Sequence, residues 1–171
     1  MTDSQVTAAD LLADGGHFAE PYPDDLDWDD PEAMEPWEDQ VHHRFLFHDG
    51  GALEYLHYAT SNHHAELEVW GGTYRLDGDR LHLVRTHLWS WSSGDWMDEK
   101  SYARMDFHPR AMSVTLARDG VGLYFDFDGC IFRPLRACPH IEPMLDDVRF
   151  RIDECKARVR SHFATRTDES A

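Results

Sequence analysis

The chain has 171 residues, of which 42% are apolar and 12% aromatic, and a formal net charge of −17. This length suits one domain with a short appendage, and this apolar content is enough to bury a core, which excludes a wholly disordered chain. Because an anionic surface repels nucleic acids and anionic lipids, we expect no binding to DNA, RNA or membranes.

The negative charge is concentrated at the N-terminus. Residues 1–40 contain thirteen Asp or Glu and no Lys or Arg, a charge of −13. Residues 41–171 contain the other twenty acids and all sixteen bases, a charge of −4. We therefore divide the chain into an acidic N-terminal arm, residues 1–40, and a β-barrel-like domain, residues 41–171.

The arm begins with a predicted helix over residues 7–14. Thr7 can cap this helix, and Asp10 completes a capping-box pattern. Residues 15–40 hold four prolines and dense like charge, which predicts an extended segment.

Aromatic residues lie among the acids of this arm, whereas disordered tails contain few of them. Acid around large rings suits a basic partner surface, because charge speeds encounter and the rings anchor the complex. Alternatively, the arm folds back over its own barrel or only increases solubility. The predicted partner-binding residues are Tyr22, Asp24, Asp25, Asp27, Trp28, Asp29, Asp30 and Trp37.

From residue 41 the pattern changes to short apolar runs separated by turns, four of them marked by Asp-Gly pairs. Several runs alternate apolar and polar residues, as strands with one buried face do. Gly71-Gly72 interrupts one run and predicts a bulge or sharp bend. The candidate strands are near 42–48, 52–58, 65–76, 80–91, 101–108, 111–117, 122–128 and 130–134.

The final segment predicts an amphipathic helix at about 142–164. Seven apolar residues recur there at spacings of three or four, from Ile141 to Phe163, which is one stripe along a helix. The predicted fold is therefore mainly β, an antiparallel up-and-down meander of about eight strands with one C-terminal amphipathic helix. The strands form a barrel or a strongly curved sheet; the alternative is an open α+β sheet with the helix across one face.

The segment GGTYRLDGDRLHLV, residues 71–84, resembles a hairpin of small lipocalin-like (calycin) domains of bacteria. Those domains have a glycine-turned strand, an aromatic residue, an Asp-Gly turn and a Leu-x-Leu return. The order of elements over residues 41–165 is also similar to that family. The resemblance implies an apolar pocket inside a barrel, and it implies no shared catalytic residues.

A tryptophan-rich stretch, residues 86–102, is the candidate ligand-binding region. If this strand is regular, Trp89 and Trp91 share a face with two polar residues, and the rings could supply apolar area while a polar group orients a ligand. The alternative is that the tryptophans belong to the core or cover the base of the arm. The predicted ligand-binding residues are Arg85, His87, Trp89, Trp91 and Trp96.

Metal and catalytic signals are weak. Cys138 and His140 form one close pair, whereas structural zinc sites usually need two, so we predict reduced thiols, no metal and no cofactor. Among the twelve histidines, His42 and His43 point to opposite faces of a regular strand and cannot both line one site. No nucleophile elbow, phosphate loop or His-Glu-x-x-His motif occurs.

Three hypotheses about function follow. The first is a non-enzymatic interaction protein of the inhibitor, immunity or adaptor type, whose acidic arm docks a basic protein. The second is a lipocalin-like carrier of a small apolar ligand, and the third is an enzyme that uses His and Asp side chains at the barrel mouth. The N-terminus lacks the basic and apolar regions of a secretion signal, and no apolar run approaches the roughly 20 residues of a membrane span, so we predict a cytoplasmic protein.

Overall fold

A computed structural model describes residues 6–19, 40–60, 64–93 and 101–134, and residues 149, 152–162 and 164 near the C-terminus. Two compact units are present, Met1–Ala137 and Cys138–Ala171. Within the described residues, no helix is both long and apolar enough to cross a bilayer. The cytoplasmic location stays a prediction.

The first unit begins with helix α1 and a short 3₁₀ helix and continues as nine strands. The helices are α1 (Ala8–Leu12) and the 3₁₀ helix (Ala13–Gly16). The strands are β1 (His17–Ala19), β2 (Gln40–Phe47), β3 (Ala52–Thr60), β4 (Ala65–Asp77), β5 (Arg80–Ser93), β6 (Ser101–Asp106), β7 (Arg110–Arg118), β8 (Leu123–Phe127) and β9 (Cys130–Pro134). The second unit contains helix α2, residues 152–162.

Eight of the nine strands close into an antiparallel barrel. The order around it is β1, β2, β3, β4, β5, β7, β8 and β9, and β1 pairs with both β2 and β9 to complete the ring. The ninth strand, β6, pairs with the second half of β5 while β7 pairs with its first half. The predicted fold class is thus confirmed: mainly β, antiparallel and up-and-down, with a C-terminal helix. The alternative of an open sheet is wrong, because the barrel closes.

Strand β1 is the element that the sequence analysis did not predict. It lies in the segment assigned to the arm, yet Phe18 is fully buried and Ala19 nearly so. Helix α1 also belongs to this structure, since Leu11 is fully buried in the same core as Phe18. The barrel therefore includes residues N-terminal to position 41.

The short helix forms as its sequence predicts. The Thr7 backbone N–H donates to Asp10 Oδ2 at 2.8 Å, and the Asp10 backbone N–H donates to Thr7 Oγ1 at 3.4 Å, which completes the capping box. Asp10 Oδ1 also accepts from Arg118 Nη2 at 2.6 Å. This ion pair ties α1 to strand β7.

Two register irregularities bend the sheet at the same point of β5. Gly71 is opposite His87 but Gly72 is opposite Arg85, so Thr86 is an extra residue on β5. The predicted interruption at Gly71-Gly72 is therefore a β-bulge. On the other side, Leu88 is opposite Asp106 while Arg85 is opposite Arg110, which leaves three residues of the β6–β7 connection facing two of β5.

Candidate functional site

The barrel interior is filled at one end by aromatic side chains. Phe45 is fully buried at the centre of this cluster, with ring centroids 4.8 Å from Tyr55 and 4.9 Å from Phe132. Phe18, Phe47, Trp70 and Phe125 complete the ring cluster, and Leu81 and Leu83 close it. This half of the barrel is a packed core and not a ligand cavity.

The other end of the interior is polar. Cross-strand register places His43 opposite His57, His57 opposite Glu68, Glu68 opposite Ser90, and Ser90 opposite Arg104. Residues directly opposite one another on neighbouring strands share a sheet face. These five residues therefore form one row across β2 to β6, which we call the polar row. It lies on the interior face, two residues along from Phe45, Tyr55 and Trp70.

The polar row borders a half-open cavity of about 720 Å³. That volume lies within the usual range for small-ligand sites. The rest of the lining adds two aromatic residues, Tyr55 and Trp91, and two further carboxylates to the row. The full lining is His43, Tyr55, His57, Glu66, Leu67, Glu68, Ser90, Trp91, Ser92, Arg104 and Asp128.

The cavity lies at the end of the barrel from which three connections leave. Gln40 pairs with Thr60, Thr60 with Ala65, and Ser93 with Ser101, so these strand ends form one rim. The segments 61–63 and 94–100 join strands at that rim, and the segment 20–39 returns to the barrel there at Gln40. The predicted arm residues Tyr22 to Trp37 and the predicted ligand residue Trp96 lie in these connections, outside the described residues.

Three of the lining residues form a hydrogen-bonded chain. His43 Nε2 lies 3.1 Å from His57 Nδ1, and His43 Nδ1 lies 3.3 Å from the Tyr55 hydroxyl. Burial, followed by the neighbouring His43, lowers the pKa of His57 below its ordinary value of 6.5. His57 is therefore neutral near pH 7 and can donate or accept a hydrogen bond in the cavity.

Glu68 is the half-buried carboxylate of the row. Burial raises the pKa of Glu68 above 4.5, although the nearby His57 and Arg85 act in the opposite direction. No hydrogen bond or ion pair to Glu68 is found among the residues that the structure describes. By contrast, Glu66 pairs with His64 at 2.8 Å, and both of these side chains are exposed.

The bulge at Thr86 separates the predicted ligand-binding residues onto two faces. Because Arg85 is opposite Gly72 and His87 is opposite Gly71, the two side chains lie on opposite sides of the sheet. Arg85 lies on the interior side with Leu83, while His87, Trp89 and Trp91 lie on the outer side. The expectation that all four share one face is therefore wrong, and its cause is the extra residue in β5.

Arg85 and His87 both have local partners. Arg85 Nη2 donates to Asp106 Oδ2 at 3.1 Å, with 14% and 18% of the two side chains exposed. His87 stands over Gly71, where an added Cβ would lie 2.6 Å from the imidazole Cε1. Burial lowers the pKa of His87, with Glu54 acting in the opposite direction. Neither residue lines the cavity.

The tryptophans differ in their exposure to the cavity. Trp91 contributes to its lining, and Trp89 is 1% exposed and does not. The Trp89 indole N–H has no hydrogen-bond partner in the described part of the chain. Trp89 is therefore a buried side chain of the outer face, and among the described members of the predicted ligand set Trp91 is the one that contributes to the cavity lining.

Comparison of the chain with protein-family models, curated proteins and solved structures found no match. The closed eight-stranded antiparallel barrel is compatible with a lipocalin-like fold. The site must accordingly be interpreted from its own geometry.

Metal-binding groups do not gather in the described residues, where no three His, Cys, Asp or Glu side chains are arranged to hold an ion. Cys130 and Cys155 carry free thiols. Burial raises the pKa of Cys155 to about 12. Cys138 and His140, the pair considered for zinc, lie outside the described residues.

The sequence analysis missed the polar row. His43, His57 and Glu68 are far apart along the chain, and only strand register brings them together. A signal was present, since each residue continues the interior alternation of its own strand beyond an aromatic residue: His43 before Phe45, His57 after Tyr55, and Glu68 before Trp70. Comparing the polar ends of these three alternating strands would have predicted the polar end of the barrel interior.

Proposed function

We propose that this protein binds a small ligand in the cavity at the polar end of its barrel. The observation that carries the proposal is the cavity of about 720 Å³ that the polar row borders. Ligand sites usually combine apolar walls with a few polar groups, whereas most of this lining is polar, with Tyr55 supplying an aromatic surface. The function is a variant of the lipocalin-like carrier that the sequence suggested.

The geometry favours a ligand different from the apolar one first expected. The deep interior is occupied by Phe45 and its neighbours, so a ligand would lie at the mouth. There it would face His57, Glu68 and Arg104 as well as the ring of Tyr55. A purely apolar ligand would bury these polar groups without hydrogen bonds, which is unfavourable. The ligand therefore combines polar groups with an apolar part.

A blocking substitution tests this function. Ser90 lies in the polar row between Glu68 and Arg104, so Ser90→Trp would fill the cavity; Ser113→Trp adds the same ring at an exposed position of β7. Small-molecule libraries screened by native mass spectrometry and ligand-observed NMR should give hits that bind wild type and Ser113→Trp but not Ser90→Trp. Circular dichroism would check that both variants fold. Hits that bind Ser90→Trp equally well, or no hits with wild type, would contradict the proposal.

Docking of a basic protein by the acidic arm is a second proposal. The −13 charge of residues 1–40, together with Tyr22, Trp28 and Trp37, supports it. Because β1 ends at Ala19 and β2 begins at Gln40, a test must leave residues 1–19 in place and exchange only residues 20–39 for a Gly/Ser linker. Equal recovery of basic partners by both proteins at low salt would count against it.

An enzyme at the barrel mouth remains the third hypothesis. It requires His and Asp side chains to meet in a cleft, and His43, His57 and Asp128 do line one cavity. Turnover of any ligand found in the screen, abolished by His57→Gln and retained by Ser113→Trp, would favour this hypothesis over simple binding.

A further inference from the structure

The ionisable groups of the cavity are unevenly balanced. Its lining contains three carboxylates, on Glu66, Glu68 and Asp128, and one guanidinium, on Arg104. With the histidines counted as neutral, the lining has a formal charge of −2. Arg85, whose charge also acts on Glu68, is already paired with Asp106. The cavity therefore favours a positive ligand.

Glu68 is the group for which a ligand cation would be most useful. It is half-buried, and the described residues supply it with neither a hydrogen bond nor an ion pair. A carboxylate in this position has lost part of its hydration without receiving a donor in return. The other part-buried carboxylate on this face, Asp106, accepts from Arg85 and from the His108 backbone N–H. Glu68, by contrast, receives no such donor from the described residues.

The surroundings of Glu68 suit an organic cation better than a bare metal ion. Within the described residues, no set of three ligating groups converges on any point. Instead, the ring of Tyr55 lies on the same interior face as Glu68 and lines the same cavity. Aromatic rings attract cations through their faces and also cover apolar surface. The opposite edge of the row carries Arg104, which would repel a second positive charge.

We propose that the cavity binds a protonated amine carried on a flat apolar body, with the ammonium group against Glu68 and the body against Tyr55. This inference rests on the proposed ligand-binding function and narrows it to one ligand class. The ammonium donates to the Glu68 carboxylate, and the neutral His57 ring accepts a second hydrogen bond from it. Charge and hydrogen bonding, rather than apolar area, thus select the ligand.

Three matched probes test the ligand class. Benzylamine, benzyl alcohol and benzoate have the same ring and differ in charge near neutral pH. NMR titration of the full chain should show benzylamine binding at least about tenfold more tightly than the alcohol, as expected for a hydrogen bond to a charged group. Benzoate should bind most weakly. Binding of the alcohol or of benzoate as tightly as the amine would overturn the inference while leaving a ligand-binding cavity in place.

Two isosteric Glu→Gln variants test whether Glu68 is the carboxylate that binds the amine. Glu68→Gln removes the unpaired carboxylate, and Glu54→Gln changes the net charge equally at an outer-face residue that pairs with His48. Glu68→Gln should lose about tenfold or more in benzylamine affinity and little in benzyl alcohol affinity, whereas Glu54→Gln should change neither. Equal losses in both variants would mean that only overall charge attracts the amine, and the inference would fail. Absence of binding by all three probes would contradict both the inference and the proposed function.

Discussion

The imidazoles of His43 and His57 lie side by side on β2 and β3, with His43 Nε2 3.1 Å from His57 Nδ1 and the ring centroids 4.5 Å apart. At this distance one nitrogen must donate and the other must accept. The contact is therefore lost when both rings are fully protonated, because both facing nitrogens then carry hydrogen. Protonation of both rings therefore breaks a hydrogen bond in the wall of the cavity.

This relationship predicts how His57 titrates. In the folded protein, NMR should place the His57 midpoint below 6.5, the ordinary histidine value, and in urea the midpoint should return to about 6.5. In His43→Ala the midpoint should rise only part of the way, because burial is the larger cause of the lowered pKa and remains. A midpoint above 6.5 in the folded wild type would contradict the hydrogen-bonded arrangement.

The lowered pKa of His57 also affects the stability of the protein, because proton binding and folding are linked. Because the folded pKa of His57 lies below the unfolded value, the unfolded chain takes up this proton more readily. The His57 contribution to folding should therefore be intact above about pH 6.5 and be lost as the pH falls through the folded pKa. His57→Gln should flatten the pH dependence of the free energy of unfolding in this window, as measured by urea denaturation. An unchanged pH dependence in His57→Gln would show that ionisable groups other than His57 cause it.

The contribution of Glu68 to stability should depend on pH in the opposite direction. Burial raises its pKa above 4.5, so its contribution favours the folded state below about pH 4.5 and is lost as the pH rises through the folded pKa. Glu68→Gln should consequently raise the melting temperature near neutral pH, and the gain should shrink towards pH 4.5. The control is Glu66→Gln, an exposed position where we expect a change within about 0.5 kcal/mol. A lower melting temperature for Glu68→Gln near neutral pH would mean that the carboxylate is favourably paired.

Sequence patterns predicted those parts of the fold that depend on local alternation and turns. The eight predicted strands correspond to β2–β9, and the glycine pair marked the bulge. Each of these signals lies within about ten residues of chain, where periodicity and turn chemistry are informative. The apolar stripe of the last segment likewise predicted α2.

Features that depend on pairing between distant segments could not be predicted in the same way. Strand β1 has three residues, too few for a visible alternation, and its role comes from pairing with β2 and β9. Likewise, nothing in the local sequence shows that Thr86 is the extra residue that turns Arg85 away from His87. The candidate site depends on pairing between distant strands and on the extra residue in β5. For that reason the sequence identified it only in part.

The aromatic cluster makes a prediction about stability. Phe45 is fully buried, and its ring centroid lies within 6 Å of those of Phe47, Tyr55, Trp70, Phe125, Phe127 and Phe132. Phe45→Ala should lower the free energy of unfolding by about 3–5 kcal/mol, because the cavity it leaves cannot close. Val121→Ala, at a side chain 81% exposed, should change it by no more than about 0.5 kcal/mol. Urea denaturation that gave similar values for both would contradict the packed interior.

The thiol of Cys155 should be unreactive in the folded protein. It is 1% exposed, and burial raises its pKa to about 12, so almost none of it is thiolate at mildly alkaline pH. Iodoacetamide should therefore modify Cys155 slowly in buffer and rapidly in denaturant, as measured by peptide mass spectrometry. Cys130, which is half-buried, provides an internal comparison and should react faster. Rapid modification of Cys155 without denaturant would contradict its burial.

The glycine pair at the bulge should tolerate substitution unequally, because the two Cβ atoms would meet different obstacles. At Gly72 the new atom would collide with the Val84 carbonyl oxygen, which is fixed backbone, whereas at Gly71 it would meet the His87 imidazole, which can rotate away. Gly72→Ala should thus destabilise the protein by more than about 2 kcal/mol, and Gly71→Ala by less. Gly120→Ala, with no atom within 4 Å of the added Cβ, is the matched control.

A double variant separates the two obstacles. His87→Ala removes the ring above Gly71, so Gly71→Ala should cost less in that background than in wild type. The same background should leave the cost of Gly72→Ala unchanged, because the Val84 carbonyl oxygen is still there. Rescue of both substitutions by His87→Ala would mean that the sheet at Thr86 is free to rearrange. In that case the bulge would not hold Arg85 and His87 on opposite faces.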